Sequence, residues 1–336
     1  MSELVSIIVR TKDRPQLLKR ALWSIFAQTY RPIEVVLVND GGCELDIDEI
    51  KRTLQDVSLN YIRLEKNTGR AHAGNVGIDN TKGEYVGFLD DDDEFYPEHV
   101  SALVSSLKNT DCKIAYTDSE IIFRSYNFET MEFTETGRRI FSSKDFSMSA
   151  LLIENYIPLI TILFNKDVLL VEKGFDEGFE AYEDWDLLIR CGLNCPFYHI
   201  KRVTTKYVQW SRELQIAQSS EYAVILDREY DRVLQKHAVK YVPGVVRYCR
   251  DSLAGLNAAV IERDSALSEQ ARGIAQLKST IGERDARIGT LLTTNKDLQC
   301  KVSERDEYIR FLQSGRGWRL LSKYYKVRDR LLNVFH

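Results

Sequence analysis

Proline, methionine and long apolar runs are all scarce in this sequence. Only 6 of its 336 residues are proline and 3 are methionine, and no proline lies between Leu253 and Leu312. No run reaches the roughly 18 apolar residues that a transmembrane helix needs. The opening MSELVSIIVRT has no basic segment ahead of a long apolar one, so no signal peptide is predicted. A cytoplasmic location is the resulting expectation.

Paired cysteines and a large net charge are absent too. The six cysteines include no CxxC pair, and only Cys191 and Cys195 have a spacing that would place both on one helix face. They are a weak zinc signal, and reduced thiols are expected. The net charge of −4 gives no reason to expect a nucleic-acid partner.

What the chain does contain is an alternation of short apolar runs with helical patterns. Strands are predicted at residues 4–10, 33–40, 59–64 and 85–90, and helices at 15–28 and 70–81. This order implies βαβ units and a mostly parallel sheet, so the fold class is α/β. Ligands bind at the carboxyl ends of such strands, where Asp40 and Asp90 stand.

The pattern is mixed from Cys112 to about Tyr248. Strands are predicted at 114–123 and 160–164, and helices at 181–191 and 220–237. We expect one domain that covers residues 1–245.

Residues 250–313 are predicted to form a coiled-coil stalk. Apolar residues recur every seven positions in a first row: Val260, Leu267, Ile274, Ile281, Ile288, Val302 and Ile309, with Asn295 in the one gap. A second row contains Leu256, Leu277, Leu291, Leu298 and Leu312, and is interrupted by Arg263, Gln270, Arg284 and Arg305. A 3.5-residue repeat of this length predicts a left-handed coiled coil and a homo-oligomer.

Two questions about the stalk stay open at this stage. A single amphipathic helix packed on its own domain is the alternative, although so long a helix has too little domain to cover it. Asn295 favours a dimer, whereas the arginines of the second row leave a trimer open.

Residues 314–336 mix basic and aromatic side chains. The segment WRLLSKYYKVRDRLLNVF has the composition of an interfacial amphipathic helix, which would make peripheral contact with the inner face of the cell membrane. A helix that caps the stalk or docks a partner has the same composition, and the two interpretations have equal weight.

The strongest chemical signal is FLDDDDEF, in which Asp90, Asp91, Asp92 and Asp93 directly follow an apolar strand. Four adjacent carboxylates repel one another, and a hard divalent cation is the natural compensation. If the strand continued, Asp90 and Asp92 would point to the same side, as a two-carboxylate site requires. The alternative is a solvated acidic turn that precedes a helix.

A second acidic group lies at the start of a predicted helix, in the segment YEDWDLLIRC. Glu183, Asp184 and Asp186 fit helix capping and the helix dipole, but a carboxylate there also fits a general base that takes a proton from a sugar hydroxyl. A third signal is the pair Thr11 and Asp40, each just after a strand. An aspartate in that position can bind a base or a ribose, or can simply form a turn before two glycines.

These signals occur in an order that resembles glycosyltransferase family 2, whose members have the GT-A fold. The resemblance covers roughly residues 3–215. It rests on SIIVRTKDRPQLLKRALWSIFAQTYRPIEVVLVNDGG, on NTGRAHAGNVGIDNTKGEYVGFLDDDDEFYPEHV with its DxD motif, and on GFEAYEDWDLLIRC with its ED motif. It implies a Rossmann-like mixed sheet flanked by helices, and a reaction that inverts the anomeric centre.

The resemblance also implies residue roles. The nucleotide-sugar set would be Thr11, Asp40, Arg70, Asp90 and Asp91. Asp92 would bind Mn²⁺ or Mg²⁺ at the diphosphate. Asp184 would be the catalytic base, with Glu183 beside it to orient the acceptor or the base. Trp185 and Trp210 are candidate contacts to the acceptor or substrate.

The sequence departs from the family pattern in three places. Arg10 stands where the family usually has proline, and Gly74 stands where it often has arginine, so that Arg70 is the candidate replacement charge. Gln209 and Trp210 stand where many members have a histidine that helps to bind the metal. Arg212, just beyond, is a candidate phosphate contact or a solvated side chain.

The leading hypothesis is an inverting transferase that uses a nucleoside-diphosphate sugar and a glycan or lipid-linked acceptor in surface polysaccharide synthesis. The missing histidine motivates an alternative, a non-catalytic scaffold that organises partner enzymes through its coiled coil. A nucleotidyltransferase is disfavoured because RTKDRPQ is not a glycine-rich phosphate loop. An NAD enzyme is disfavoured because no GxGxxG follows the first strand.

Overall fold

The computed structural model describes residues 2–127, 132–141, 143–210, 220–237 and 242–332. Within these ranges the chain divides into two compact units, residues 1–251 and 252–336. Arg212 lies outside the described residues. The described strands are β1 Val5–Thr11, β2 Ile33–Asn39, β3 Ser58–Arg63, β4 Tyr85–Asp90, β5 Glu94–Phe95, β6 Ile114–Asn127, β7 Glu132–Phe141, β8 Ile162–Asn165 and β9 Tyr198–Trp210. The helices are α1 Pro15–Phe26, α2 Ile47–Leu54, α3 Arg70–Asp79, α4 His99–Lys108, α5 Met148–Leu151, α6 Lys166–Val171, α7 Glu183–Asn194, α8 Ser220–His237, α9 Val242–Gln313 and α10 Gly315–Leu332, with a 3-10 turn at Leu159–Thr161.

One mixed sheet forms the centre of the first unit. Its described strands run in the order β3-β2-β1-β4-β8-β6-β9-β5, and β7 extends from β6. β1, β2, β3 and β4 pair in parallel, which is the arrangement that the strand-helix alternation predicts. β8 then pairs antiparallel with both β4 and β6 and makes the sheet mixed.

Alternation along the strands separates two apolar layers. In β1, Ile8 faces a layer that contains α3 and α7, whereas Ile7 and Val9 face a layer that contains α1 and α4. All seven side chains of β1 and of β2 are buried because helices cover both faces. This packing fixes the ends of β1, β2 and β4 side by side at one edge.

The C-terminal helices agree with the sequence pattern. α9 is 72 residues long and includes the whole predicted stalk. Its apolar rows are exposed in the single chain: Val260 is 56% exposed, Ile281 58% and Leu298 55%. Among the described residues, no helix combines the length and the apolar character needed to cross a bilayer.

Candidate functional site

The carboxyl ends of β1, β2 and β4 bring the predicted acidic residues to one cleft of about 660 Å³. Thr11 ends β1, Asp40 directly follows β2, and Asp90 ends β4. All three residues line the cleft, as do Arg70, Asp91, Asp92 and Trp210. The residues predicted at the strand ends therefore line one cleft.

The aspartate run leaves the strand after Asp90. The chain turns at Asp91 and Asp92, and the backbone N–H of Asp93 donates to the Asp90 carbonyl over 3.1 Å. Asp90 and Asp92 would share one side only if the strand continued; because the strand ends at Asp90, that condition is not met. The residues after the turn form the two-residue strand β5 instead of starting a helix, and α4 begins only at His99.

Two arginines compensate the aspartates. Arg10 Nη2 lies 2.7 Å from Asp90 Oδ1. Arg14 Nη1 lies 3.2 Å from Asp91 Oδ1 and also 3.2 Å from Asp92 Oδ2. Sequence reasoning did not identify Arg14, although an arginine just ahead of the first helix was visible in the sequence. Because its partners lie 77 and 78 residues further along the chain, no local pattern reveals them.

The four carboxyl groups differ in acidity. Burial opposes the ionisation of Asp90, but Arg10 outweighs it and lowers the pKa of that group. Burial raises the pKa of Asp91 to about 7 against the opposing effect of Arg14. Burial, and then the like charge of Asp90, raise the pKa of Asp92. Burial, and then the like charge of Asp92, raise the pKa of Asp93, although its Oδ1 accepts the backbone N–H of Val208 over 2.7 Å. Burial is thus the main reason why the pKa of Asp91, of Asp92 and of Asp93 is raised, whereas its pairing with Arg10 keeps Asp90 ionised.

Asp40 holds the loop that leads into α3. Its Oδ1 accepts the backbone N–H of Thr68 over 2.7 Å and the Thr68 hydroxyl over 2.9 Å, and its Oδ2 accepts the N–H of Gly69 over 3.0 Å. Thr11 instead donates its hydroxyl to Asp91 Oδ2 over 2.7 Å. The two residues predicted to contact the nucleotide thus also form hydrogen bonds that order the cleft.

The first turn of α7 carries the second acidic group. Tyr182 precedes the helix in a left-handed conformation, with φ of 61°. Glu183 is 3% exposed and lies between two cations, 3.3 Å from Arg10 Nη1 and 3.4 Å from Arg70 Nη2. Burial and the neighbouring Glu183 raise the pKa of Asp184 to about 6. A carboxyl group with that pKa is suited to accept a proton near neutral pH.

Comparisons with known proteins agree with this geometry. The model of the family described as Glycosyl transferase family 2 matches residues 6–164. The uncharacterized glycosyltransferase RP339 of Rickettsia prowazekii (strain Madrid E) is 33% identical over 243 residues, which are 68% of this chain and 70% of that protein. The uncharacterized glycosyltransferase YwdF of Bacillus subtilis (strain 168) is 28% identical over 243 residues, which are 71% of this chain and 86% of that protein. For two other relatives the match spans only 58% and 26% of their length.

The chain belongs to glycosyltransferase family 2.

A solved structure shows the fold that goes with the family. S. aureus TarS 1-349 in complex with UDP-GlcNAc superimposes with a TM-score of 0.51 at 16% identity, over 68% of this chain and 70% of that one. This likeness confirms the GT-A arrangement of a mixed sheet flanked by helices. The chain is a glycosyltransferase, and α7, with Glu183 and Asp184, lies beyond the residues that the family model matches.

The structure corrects the prediction for Trp185. Its side chain is fully buried, and its indole N–H donates to the Leu151 carbonyl over 2.6 Å. Trp185 therefore belongs to the core layer under α7 and has no surface with which to contact an acceptor.

Trp210 does line the cleft. It is 7% exposed, and its ring packs edge-on against Phe133 at 5.3 Å between centroids. The buried Nε1 meets no acceptor with hydrogen-bond geometry among the described residues, although it approaches Asp92 closely enough to lower the pKa of that carboxyl group. This packing does not support stacking of a substrate ring on Trp210, whose N–H instead approaches Asp92.

Proposed function

We propose that this transferase moves a sugar, with inversion, from a nucleoside-diphosphate sugar to a hydroxyl of a glycan or lipid-linked acceptor in surface polysaccharide synthesis. The observation that carries the proposal is that Arg10 and Arg70, which line the acidic cleft at the strand ends, both contact Glu183, the residue next to Asp184. Thr11, Asp40, Arg70, Asp90 and Asp91 are the proposed contacts to the nucleotide sugar.

Asp184 is the proposed base. Its Oδ1 accepts the backbone N–H of Trp185 over 2.7 Å, and its Oδ2 accepts the amide of Asn155 over 3.2 Å. These bonds fix the carboxylate while it takes the proton of the attacking hydroxyl. Glu183 is held by Arg10 and Arg70, so its role is to orient the segment.

The residues of the turn also fit a divalent cation. Among the described residues there is no group of three or more His, Cys, Asp or Glu side chains that could hold a metal ion. Mg²⁺ or Mn²⁺, however, commonly uses one or two carboxylates together with substrate phosphates. Burial, and then the like charge of Asp90, raise the pKa of Asp92, and a bound cation would offset the second of these effects. We assign Asp92 as its ligand; when bound, the ion would stabilise the departing nucleoside diphosphate.

The C-terminal helices α9 and α10 are the proposed sites of self-association and of membrane contact. The exposed apolar rows of α9 support self-association as a dimer or trimer. In α10, Trp318 is 71% exposed and Tyr324 64%, and Arg319, Lys323 and Lys326 lie on the same helix. We infer that this helix holds the enzyme at the surface of an anionic membrane, near a lipid-linked acceptor.

Thermal unfolding with Mn²⁺ and a panel of nucleoside diphosphates tests the donor site. We expect one diphosphate to raise the melting temperature only when Mn²⁺ is present, since a ligand that binds the folded state stabilises it. Asp92→Ala should remove this shift, and Asp184→Asn should keep the shift but lower turnover. A folded wild-type protein with no shift for any diphosphate would instead favour the scaffold hypothesis.

A further inference from the structure

Arg10 is a buried cation that joins two parts of the site. It lies on β1, next to β4 in the sheet, and its side chain is 8% exposed. Its Nη2 contacts Asp90 at the end of β4, and its Nη1 contacts Glu183 at the start of α7 over 3.3 Å. The same Nη1 donates to the backbone carbonyl of Arg70 over 3.2 Å. One guanidinium thus connects β4, α7 and α3.

These partners favour the charged form of the Arg10 side chain. Burial lowers the pKa of the guanidinium, but Asp90 and Glu183 outweigh it and raise the pKa above the ordinary value. A buried ion is costly unless it is paired, and removal of one partner leaves the others uncompensated. Loss of Arg10 would therefore leave two carboxylates, Asp90 and Glu183, short of a buried counter-charge.

Phe175 and Gly74 shape the space for this guanidinium. The Arg10 guanidinium carbon lies 5.8 Å from the centre of the Phe175 ring. A Cβ atom at position 74 would lie 2.5 Å from that ring, so the glycine is what allows Phe175 to sit there. The two departures from the family pattern, at positions 10 and 74, are thus connected through one aromatic side chain.

We propose that Arg10 is a positioning residue that holds the first turn of α7 against the end of β4 and neutralises Glu183, so that Asp184 stays charged beside the donor site. This inference rests on the proposed role of Asp184 as base.

Asp184 is faced by groups from several elements. Glu183 and Tyr182 lie on its own segment, Arg70 approaches from α3, and Tyr207 approaches from β9. Asn155 approaches from the loop before the 3-10 turn. Arg70 acts on Asp184 directly, but its side chain is 52% exposed and thus screened by solvent. Arg10 is the better shielded of the two cations that bind Glu183.

The test compares Arg10→Met, Arg10→Lys and a control, Arg20→Met, whose arginine pairs with Glu94 away from α7. The readout is release of nucleoside diphosphate from UDP-glucose, UDP-N-acetylglucosamine and GDP-mannose, with Mn²⁺ and with water as acceptor, as a function of pH. We expect Arg10→Met to shift the acidic limb of the rate profile to higher pH by about one unit, because two carboxylates lose their counter-charge. Arg10→Lys should keep the limb within a few tenths of a unit of wild type, and Arg20→Met should not move it.

A folded Arg10→Met variant with an unshifted limb overturns the inference, as does an equal shift in Arg10→Lys, which would indicate a purely structural role. If Arg10→Met does not fold, the double variant Arg10→Met/Glu183→Gln removes both charges, and its limb should lie at or below the wild-type pH. Gly74→Ala should reproduce part of the shift by displacing Phe175.

A wild-type enzyme that releases no diphosphate from any donor would count against the proposed function and not against the role of Arg10. The second readout, titration of the Asp184 carboxyl carbon by NMR, then decides. The pKa of Asp184 should be higher in Arg10→Met than in wild type by about one unit, and an unchanged value overturns the inference.

Discussion

The side-chain amide of Asn155 donates a hydrogen bond to Oδ2 of Asp184 across 3.2 Å, and the Oδ1 of the same amide is buried without a partner among the described residues. The bond favours the charged form of Asp184 and lowers its pKa, against the larger effects of burial and of Glu183. Asn155 thus adds to the larger effect of Arg70 in limiting how far the pKa of the proposed base rises.

The first prediction concerns the pH dependence of turnover. Asp184 must be ionised to act as base, so turnover should fall as the pH drops below about 6. Asn155→Ala should move this acidic limb to higher pH, because the charged form loses a donor. Asp184→Asn should lower kcat by about 10²- to 10⁴-fold. The measurement is the rate of diphosphate release against pH.

The matched control for Asn155→Ala is Asn194→Ala. Asn194 ends α7, is exposed, and donates to Glu172. It should leave the limb unchanged. If the acidic limb of the rate profile stays at the same pH in Asn155→Ala, another group controls the rate. The same conclusion follows if Asp184→Asn still shows that limb.

The second prediction concerns Arg14, which contacts both Asp91 and Asp92 where a divalent cation would reduce the same repulsion. Arg14→Met should lower the melting temperature without metal by about 2–4 °C, since a partly exposed pair contributes about 1 kcal/mol or less. Added Mn²⁺ should stabilise the variant more than the wild type, because the metal then supplies the missing charge. Differential scanning fluorimetry measures both.

Lys19→Met is the control for Arg14→Met, because Lys19 lies on α1 and pairs with Glu49 at the surface. Its response to Mn²⁺ should equal that of the wild type. Equal Mn²⁺ shifts in wild type and Arg14→Met would mean that Arg14 and the cation do not use the same carboxylates.

The third prediction separates Asp186 from the catalytic group. Asp186 is fully buried, and its carboxylate contacts Arg190 Nε at 2.9 Å, Lys236 Nζ at 2.6 Å and His237 Nε2 at 2.7 Å. It therefore ties α7 to α8. Asp186→Ala should lower the free energy of unfolding by about 3–5 kcal/mol, because three donors lose their acceptor. Denaturant unfolding of the variant measures this loss.

The pH dependence of that stabilisation has a definite sign. Burial raises the pKa of Asp186, but His237 and Lys236 outweigh it and lower the pKa to about 2. A group with a depressed pKa stabilises the fold fully above its ordinary value near 4 and loses that effect as the pH falls toward 2. Asp186→Ala should therefore flatten the stability profile in this acid range, and an unchanged profile would contradict the assignment.

The sequence predicted the parallel half of the sheet well for a physical reason. β1, β2 and β4 are buried on both faces, so they appear as continuous apolar runs, and α1, between the first two, shows a single apolar stripe. β9, in contrast, is 13 residues long and largely half-buried, with polar residues such as His199, Lys201 and Thr205. It has no apolar run, and the sequence analysis did not predict it.

In the site, too, residues that follow a local sequence pattern were predicted, whereas contacts between residues far apart in the sequence were not. The carboxylates at 90–93 and 183–184 follow local patterns and were predicted. Their cationic partners were not assigned, because Arg10 meets Glu183 across a separation of 173 residues. The charge on the aspartate run predicted a cation, and pattern alone could not distinguish a metal ion from an arginine brought close by folding.

The last prediction tests the stalk. Ile281 and Ile288 occupy consecutive positions of the first apolar row and are exposed in the single chain, at 58% and 54%. Replacing both with lysine should convert the proposed oligomer into monomers, because each isoleucine buried in it would contribute about 1.5–3 kcal/mol per chain and every 1.4 kcal/mol is tenfold in affinity. Sedimentation equilibrium gives the mass of each form.

Ser279→Lys/Ala286→Lys adds the same charge two residues before each of these positions, on the outer face of the predicted coiled coil, and should keep the wild-type mass. This control distinguishes a lost apolar seam from a general effect of positive charge on the helix. A wild-type chain that stays monomeric at every concentration would contradict self-association. In that case the exposed rows of α9 would need a different partner, because a helix of 72 residues with its apolar face in water gains no packing energy to stabilise it.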